Sequence, residues 1–131
     1  MSDYAINKYL SKYPLFGGVY ANDYFKVNGT KPAKNKAYVF NLDNSDGPGT
    51  HWVALLPGGL YIDPFAGPPS RLIAPFVKKW NKNTYQSIHM EYCGYFCIYV
   101  IENYMNGIDP LRSLIPGKLA YNQNVLKNYF I

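Results

Sequence analysis

One helix start constrains this chain more than any other feature. At Tyr92-Cys93-Gly94-Tyr95-Phe96-Cys97 a loop gives way to the apolar run Ile98-Tyr99-Val100-Ile101, and Gly107 offers a left-handed stop, so a helix is predicted over 93–105. Cys93 then stands in the first turn. Unpaired N–H groups and the helix dipole favour an anion there, and the thiolate is the reactive form of cysteine. Gly94 lets another backbone approach closely. Cys97, one turn on among apolar neighbours, reads as a buried structural thiol.

The elements before it are shorter. Ser2 can cap a helix over 2–11 whose apolar stripe is Tyr4, Ile6, Tyr9 and Leu10, with Pro14 beyond its end. Phe16-Gly17-Gly18-Val19-Tyr20 and Asp23-Tyr24-Phe25 read as a turn and a short element. A strand is expected over 37–42, a loop over 43–50, and a hairpin of 51–56 with 60–63 around Pro57-Gly58-Gly59. Pro68-Pro69-Ser70 introduces a predicted helix over 71–80, followed by a short strand over 84–88. A last amphipathic helix covers 119–130. The whole is one α+β domain, 1–131, with a mostly antiparallel sheet flanked by helices.

Three further side chains give Cys93 a chemistry. His51 opens a strand and can reach a cleft at the sheet end as a general base, while Trp52 points to the opposite face. His89, in the loop before Cys93, is its rival, without a flanking strand to hold it. Asp63 ends the next strand of the hairpin and can meet His51 at the same sheet edge, fixing its tautomer. Asp-Pro is also an ordinary turn starter. Gln86, seven residues before Cys93, can donate its amide to an oxyanion beside the Cys93 backbone N–H. By itself it would read as a surface glutamine.

Taken together, these segments resemble the adenain family, the adenovirus-type maturation cysteine proteases, in the clan that also holds the ubiquitin-like-protein-specific proteases. That clan runs His, then Asp or Glu, then Gln, then Cys, as this chain does with His51, Asp63, Gln86 and Cys93. The family's His-Trp pair matches His51-Trp52. Its acid-Pro-Phe-Gly setting matches Asp63-Pro64-Phe65-Ala66-Gly67, with Ala66 inserted and Asp in place of Glu. Its Cys-Gly-x-Phe-Cys matches 93–97, and its opening segment matches Phe16 through Asp23. The resemblance is strongest over 16–103.

The resemblance implies a papain-like fold of the adenain type with the nucleophile at a helix N-terminus. It implies a thiol endopeptidase that cleaves structural precursors, such as capsid proteins, at Gly-containing sites during virion maturation in a virus, virophage or related element. Cys93, His51, Asp63 and Gln86 would be catalytic, with Trp52 and Gly94 lining the substrate path. A clan relative that threads a Gly-Gly tail beneath Trp52 would instead be a deubiquitinase or ubiquitin-like isopeptidase. Adenovirus protease takes a disulfide-tethered activating peptide through a cysteine outside the catalytic helix. Only Cys93 and Cys97 are present here, which leaves a non-covalent peptide or DNA as activator.

Composition sets the remaining bounds. The formal charge of +5 allows contact with DNA or another polyanion without requiring it, so a non-enzymatic DNA- or protein-binding module is the reading from a different class. The 14 tyrosines read first as packing, then as a peptide groove. Two cysteines one turn apart on a helix suggest a reducing compartment, which the resemblance implies to be the virion and the host-cell interior, cytoplasm or nucleus. No membrane segment or signal peptide is seen, no metal or cofactor is expected for the chemistry, and a monomer is expected.

Overall fold

The computed structural model describes residues 1–42, 51–87 and 92–130. Helix α1 (Asp3–Leu10) begins where Ser2 Oγ accepts the Ala5 N–H at 3.1 Å, and it buries Ile6 and Leu10, one turn apart on one face. Strand β1 (Phe16–Ala21) and helix α2 (Tyr24–Asn28) lead to β2 (Ala37–Asn41), β3 (Trp52–Leu56) and β4 (Leu60–Ile62). A 3-10 turn (Ala74–Phe76) precedes the two-residue β5 (Lys79–Trp80). Helices α3 (Cys93–Met105) and α4 (Leu119–Tyr129) complete the chain.

The fold is α+β: a mixed five-stranded sheet in the order β1-β2-β3-β4-β5, flanked by helices. The sheet is less antiparallel than expected. β3 runs antiparallel to β2 and to β4, but β1 lies parallel to β2 and β4 parallel to β5. Both parallel pairings follow long connections that return the chain to the same sheet end, as parallel pairing requires. Residues alternate between the two sheet faces. Ala37, Val39, Trp52, Ala54, Leu56 and Ile62 pack against the helices, with Ile6, Phe96, Ile101 and Leu126 among their partners. Tyr38, Phe40, Val53, Leu55 and Tyr61 form the opposite, aromatic-rich face with Phe25 and Ile73. Glu102, buried on α3, ties the helical layer together by accepting from the Tyr13 and Tyr129 hydroxyls at 2.8 Å each.

Three other expectations give way. Residues 16–20 form an edge strand rather than a turn; a side chain at Gly17 would collide with the Tyr38 ring, which explains the glycine in a strand. The helix predicted over 71–80 is replaced by the 3-10 turn and β5. Pro75 lacks an N–H, and the Lys78 and Lys79 N–H groups both go to Gly59 O instead. Within 84–87 there is no strand: the Tyr85 and Gln86 N–H groups share Pro64 O, at 2.8 and 3.1 Å. The loop over 43–50, Ile88 and His89 lie outside the described residues. Among the described residues, no helix is long and apolar enough to cross a membrane.

Candidate active site

The β3–β4 hairpin sets the geometry. Ala54 lies opposite Ile62, so continuing the register brings His51 opposite Phe65, past the strand ends. The two rings stack, with centroids 4.3 Å apart and planes 12° from parallel. His51 Nε2 lies 3.0 Å from Asp63 Oδ1, and the Phe65 N–H donates to the same oxygen at 2.8 Å. The Ala66 N–H closes the turn on Asp63 O at 2.9 Å. Asp63 Oδ2 faces Gly67 so closely that a Cβ there would sit 2.9 Å away. The carboxylate is 4% exposed and the imidazole 18%, so the pair is screened little by water.

Two residues that sequence reasoning missed complete this arm. Asn81, directly after β5, accepts the Asp63 N–H with Oδ1 at 2.9 Å and donates from Nδ2 to Asp63 O at 2.7 Å. It sits in a polar Asn-Lys-Asn stretch whose composition signals only a break, so its role is visible only in three dimensions. Phe65 is part of the quoted motif, but nothing in the sequence says that its ring would pack on the imidazole.

Cys93 begins α3 as expected and is buried. Burial raises the affinity of its thiol for the proton. The His51 imidazole and the backbone N–H groups of Trp52 and Gly94 outweigh that, and the pKa falls below the ordinary thiol value. Burial likewise opposes the charge on His51, but the hydrogen bond and charge of Asp63, joined by Cys93, raise the imidazole to about 9. With Nε2 on Asp63, Nδ1 is the ring nitrogen left for the thiol. Nδ1 is buried and has no partner in formed hydrogen-bond geometry among the described residues, although imidazole and thiol shift each other. A contact longer than a formed bond accounts for both, and such contacts tighten when substrate binds. The lowered thiol and the raised imidazole both favour the imidazolium–thiolate form.

Gln86 is 1% exposed, and neither its Nε2 nor its Oε1 has a hydrogen-bond partner among the described residues. It is therefore not a surface glutamine. Its backbone is held to Pro64 O, next to Asp63, and its neighbour Tyr85 packs on Phe96 in the first turn of α3, with ring centroids 6.1 Å apart. An unsatisfied buried amide is unfavourable by about 1–3 kcal/mol, and an incoming anion would relieve it.

Trp52 and Gly94, expected along a substrate path, are covered from the α1 side. Trp52 is 6% exposed and its Nε1 donates to Asp3 Oδ1 at 2.5 Å. The Cβ position of Gly94 is blocked by Met1 Sδ and Ile6 Cδ1, so the close approach it permits is to the N-terminal segment. The physical reason is the docking of α1, whose buried Ile6 and Leu10 draw it onto α3. Cys97 is fully buried, and burial pushes its thiol well above the usual range, as a structural thiol would be. Neither cysteine forms a disulfide. No group of three or more His, Cys, Asp or Glu side chains among the described residues could hold a metal ion.

A scan against protein-family models and a search of curated proteins each find no match for this chain.

Proposed function

We propose that the chain is a cysteine endopeptidase of the adenain type, acting on precursors of viral capsid or other structural proteins. The observation that carries the reading is the His51 imidazole, held on Asp63 at 3.0 Å and coupled to a Cys93 thiol of lowered pKa at the start of α3. The order of these residues along the chain, with Gln86 before Cys93, adds the resemblance described above.

The residues divide the chemistry as follows. The Cys93 thiolate attacks the scissile carbonyl carbon, and the carbonyl π electrons move onto oxygen. That oxyanion takes hydrogen bonds from the Cys93 N–H and from Gln86 Nε2, whose missing partner the intermediate supplies. Collapse breaks the C–N bond, and the leaving amine takes the proton from His51 Nδ1, giving an acyl thioester on Cys93 and a neutral imidazole. Water then attacks the thioester as His51 accepts its proton, and the thiolate departs with the carboxylic acid released. Asp63 holds Nε2 throughout and keeps Nδ1 aimed at the reaction.

The deubiquitinase alternative needs Trp52 to roof a Gly-Gly tail, and the burial of Trp52 under Asp3 lends it no support. The binding-module alternative leaves the His51–Cys93 coupling without a use. The deciding experiment is iodoacetamide labelling of Cys93 against pH in wild type and His51→Ala, with Cys97 as internal control. Fast labelling well below pH 9 that is lost in the variant is expected. Labelling at the rate of an ordinary thiol, unchanged by the substitution, would sink the enzyme reading. Incubation with Gly-containing capsid-precursor peptides and with a ubiquitin-like fusion then separates the two substrate classes.

A further inference from the structure

At the far end of β3 from His51, the sheet carries a pocket of about 350 Å³. Its apolar part is lined by Leu55, Pro75 and Phe76, with Leu55 and Phe76 on the aromatic-rich face of the sheet. Four lysines, Lys31, Lys34, Lys36 and Lys78, stand around it, and no acidic side chain lines it. No salt bridge among the described residues engages any of the four. Four strand steps, roughly 13 Å, separate Leu56 from Trp52, so an occupant of this pocket would not touch the reacting groups.

The backbone that carries the lysines is held by local structure. Three of them belong to the segment before β2, which is pinned where the Ala33 N–H donates to Tyr38 Oη at 2.8 Å. Lys78 is fixed by its own N–H on Gly59 O at 2.8 Å. Gly58 has φ +85°, and nothing lies within 4 Å of its Cβ position, so the mouth stays open on that side. Like charges converging on one concavity repel each other, and an anion relieves the repulsion. A hydrated phosphate chain would have no use for the apolar floor. A single fatty-acid carboxylate would answer only one of the four charges. Both features are met by a chain that carries several carboxylates around one apolar side chain.

We infer that this lysine-rimmed pocket docks an acidic segment of a partner protein through one apolar anchor residue. Charge steers the segment to the rim, and burial of the anchor against Leu55, Pro75 and Phe76 supplies the part of the affinity that salt does not screen. The site stands apart from the proposed peptidase chemistry and does not depend on it.

The test is fluorescence anisotropy on the full chain with a labelled peptide of Asp and Glu residues around a single leucine. A second peptide carries serine in place of the leucine. One variant, Lys34→Glu with Lys36→Glu, removes the charge. A second, Ala33→Phe, fills the pocket and leaves the charge intact. Unchanged thermal midpoints and unchanged Cys93 labelling establish that both remain folded. The leucine peptide is expected to bind, to weaken about tenfold or more in each variant, and to weaken partially in about 0.5 M salt. The serine peptide is expected to bind at least about tenfold more weakly. The inference is overturned if the leucine peptide does not bind, if the two peptides bind alike, or if Ala33→Phe leaves binding unchanged. Tighter binding of a duplex oligonucleotide or a phosphatidylserine vesicle to the same lysines would overturn it as well.

Discussion

Asn81 grips Asp63 by both of its main-chain polar groups. Oδ1 takes the Asp63 N–H at 2.9 Å, and Nδ2 gives to Asp63 O at 2.7 Å and to Asn83 O at 3.0 Å. The two-residue strand β5 exists only as the neighbour of β4, with Leu60 opposite Lys79 and Tyr61 opposite Trp80, and it delivers Asn81 to the position where Asp63 leaves the sheet. The residue whose carboxylate holds His51 is thus fixed at its backbone by the Asn81 side chain.

Asn81→Ala should lower kcat for peptide cleavage by about 10- to 100-fold with KM nearly unchanged, the range found for supporting shells around functional groups. Asp63 would keep its charge but lose its fixed backbone, so its bond to His51 would loosen. The alkaline limb of the pH profile should then move below about 9. A loss of thermal stability with an unmoved limb would make Asn81 merely structural.

The turn after Asp63 carries strain at one residue and crowding at the next. Ala66 has φ +59°, the left-handed region that disfavours a Cβ. Ala66→Gly should raise stability by about 0.5–1 kcal/mol, the relief of that clash less the extra chain entropy of glycine, measured by thermal or urea unfolding. Gly67→Ala should do the opposite to function. Its new Cβ would lie 2.9 Å from Asp63 Oδ2 and push the carboxylate off the His51 axis. Cleavage is expected to fall at least about tenfold, because a misplacement of this size near the reacting groups is felt strongly. Full activity in Gly67→Ala would show that the carboxylate can shift without consequence.

Much of this arrangement is legible in the sequence, and the illegible parts share a physical origin. Helix α3 is readable over 93–105 because an apolar run and a glycine stop fix both ends, and α1 because Ser2 caps it ahead of Ile6 and Leu10. That His51 and Asp63 can meet at one sheet edge is legible in the hairpin around Pro57-Gly58-Gly59, although the register sets His51 opposite Phe65 and their contact is made by the side chains. Strand β1 is hidden because Gly17-Gly18 has turn composition, and only the Tyr38 ring explains why no side chain fits there. The helix expected over 71–80 ignores Pro75 and the pull of Gly59 O, a partner distant in sequence. Asn81, the stacking of Phe65 and the cover over Trp52 all depend on contacts across the fold, to which local pattern is blind.

Gln86 separates oxyanion stabilisation from thiol activation. Gln86→Ala should lower kcat by about 10²–10³-fold, the effect of losing one preorganised donor. Iodoacetamide alkylation forms no oxyanion, so Cys93 labelling should stay within about twofold of wild type. The substitution also removes two unsatisfied buried atoms, so stability should fall by less than truncating a bonded buried residue would cause. Equal losses in cleavage and in labelling would place Gln86 in support of Cys93 instead.

The opposite shifts on Cys93 and His51 fix the shape of the pH response. Cleavage needs the thiolate, so activity should rise through the lowered Cys93 pKa, below the ordinary 9.0. It also needs the proton on His51 for the leaving amine, so activity should fall again near pH 9. Alkylation needs only the thiolate and should show the first limb alone. In His51→Ala the hydrogen bond and charge of the imidazole are lost, while burial, which raises the thiol pKa, and the Trp52 and Gly94 N–H groups, which lower it, remain. The limb should then move to higher pH, and labelling at pH 7 should slow accordingly. Stability carries the same signature. The His51 contribution is fully present below its unfolded value of 6.5 and is lost as pH rises through about 9. The His51 part of the unfolding free energy should therefore drop across that window by an amount on the order of 1–3 kcal/mol, and His51→Gln removes that part. Cys93 runs the other way: its contribution is present above 9.0 and lost as pH falls through its lowered value. An alkaline limb of cleavage near the ordinary imidazole value would mean that Asp63 does not hold the proton on His51, and the ion-pair mechanism would fall with it.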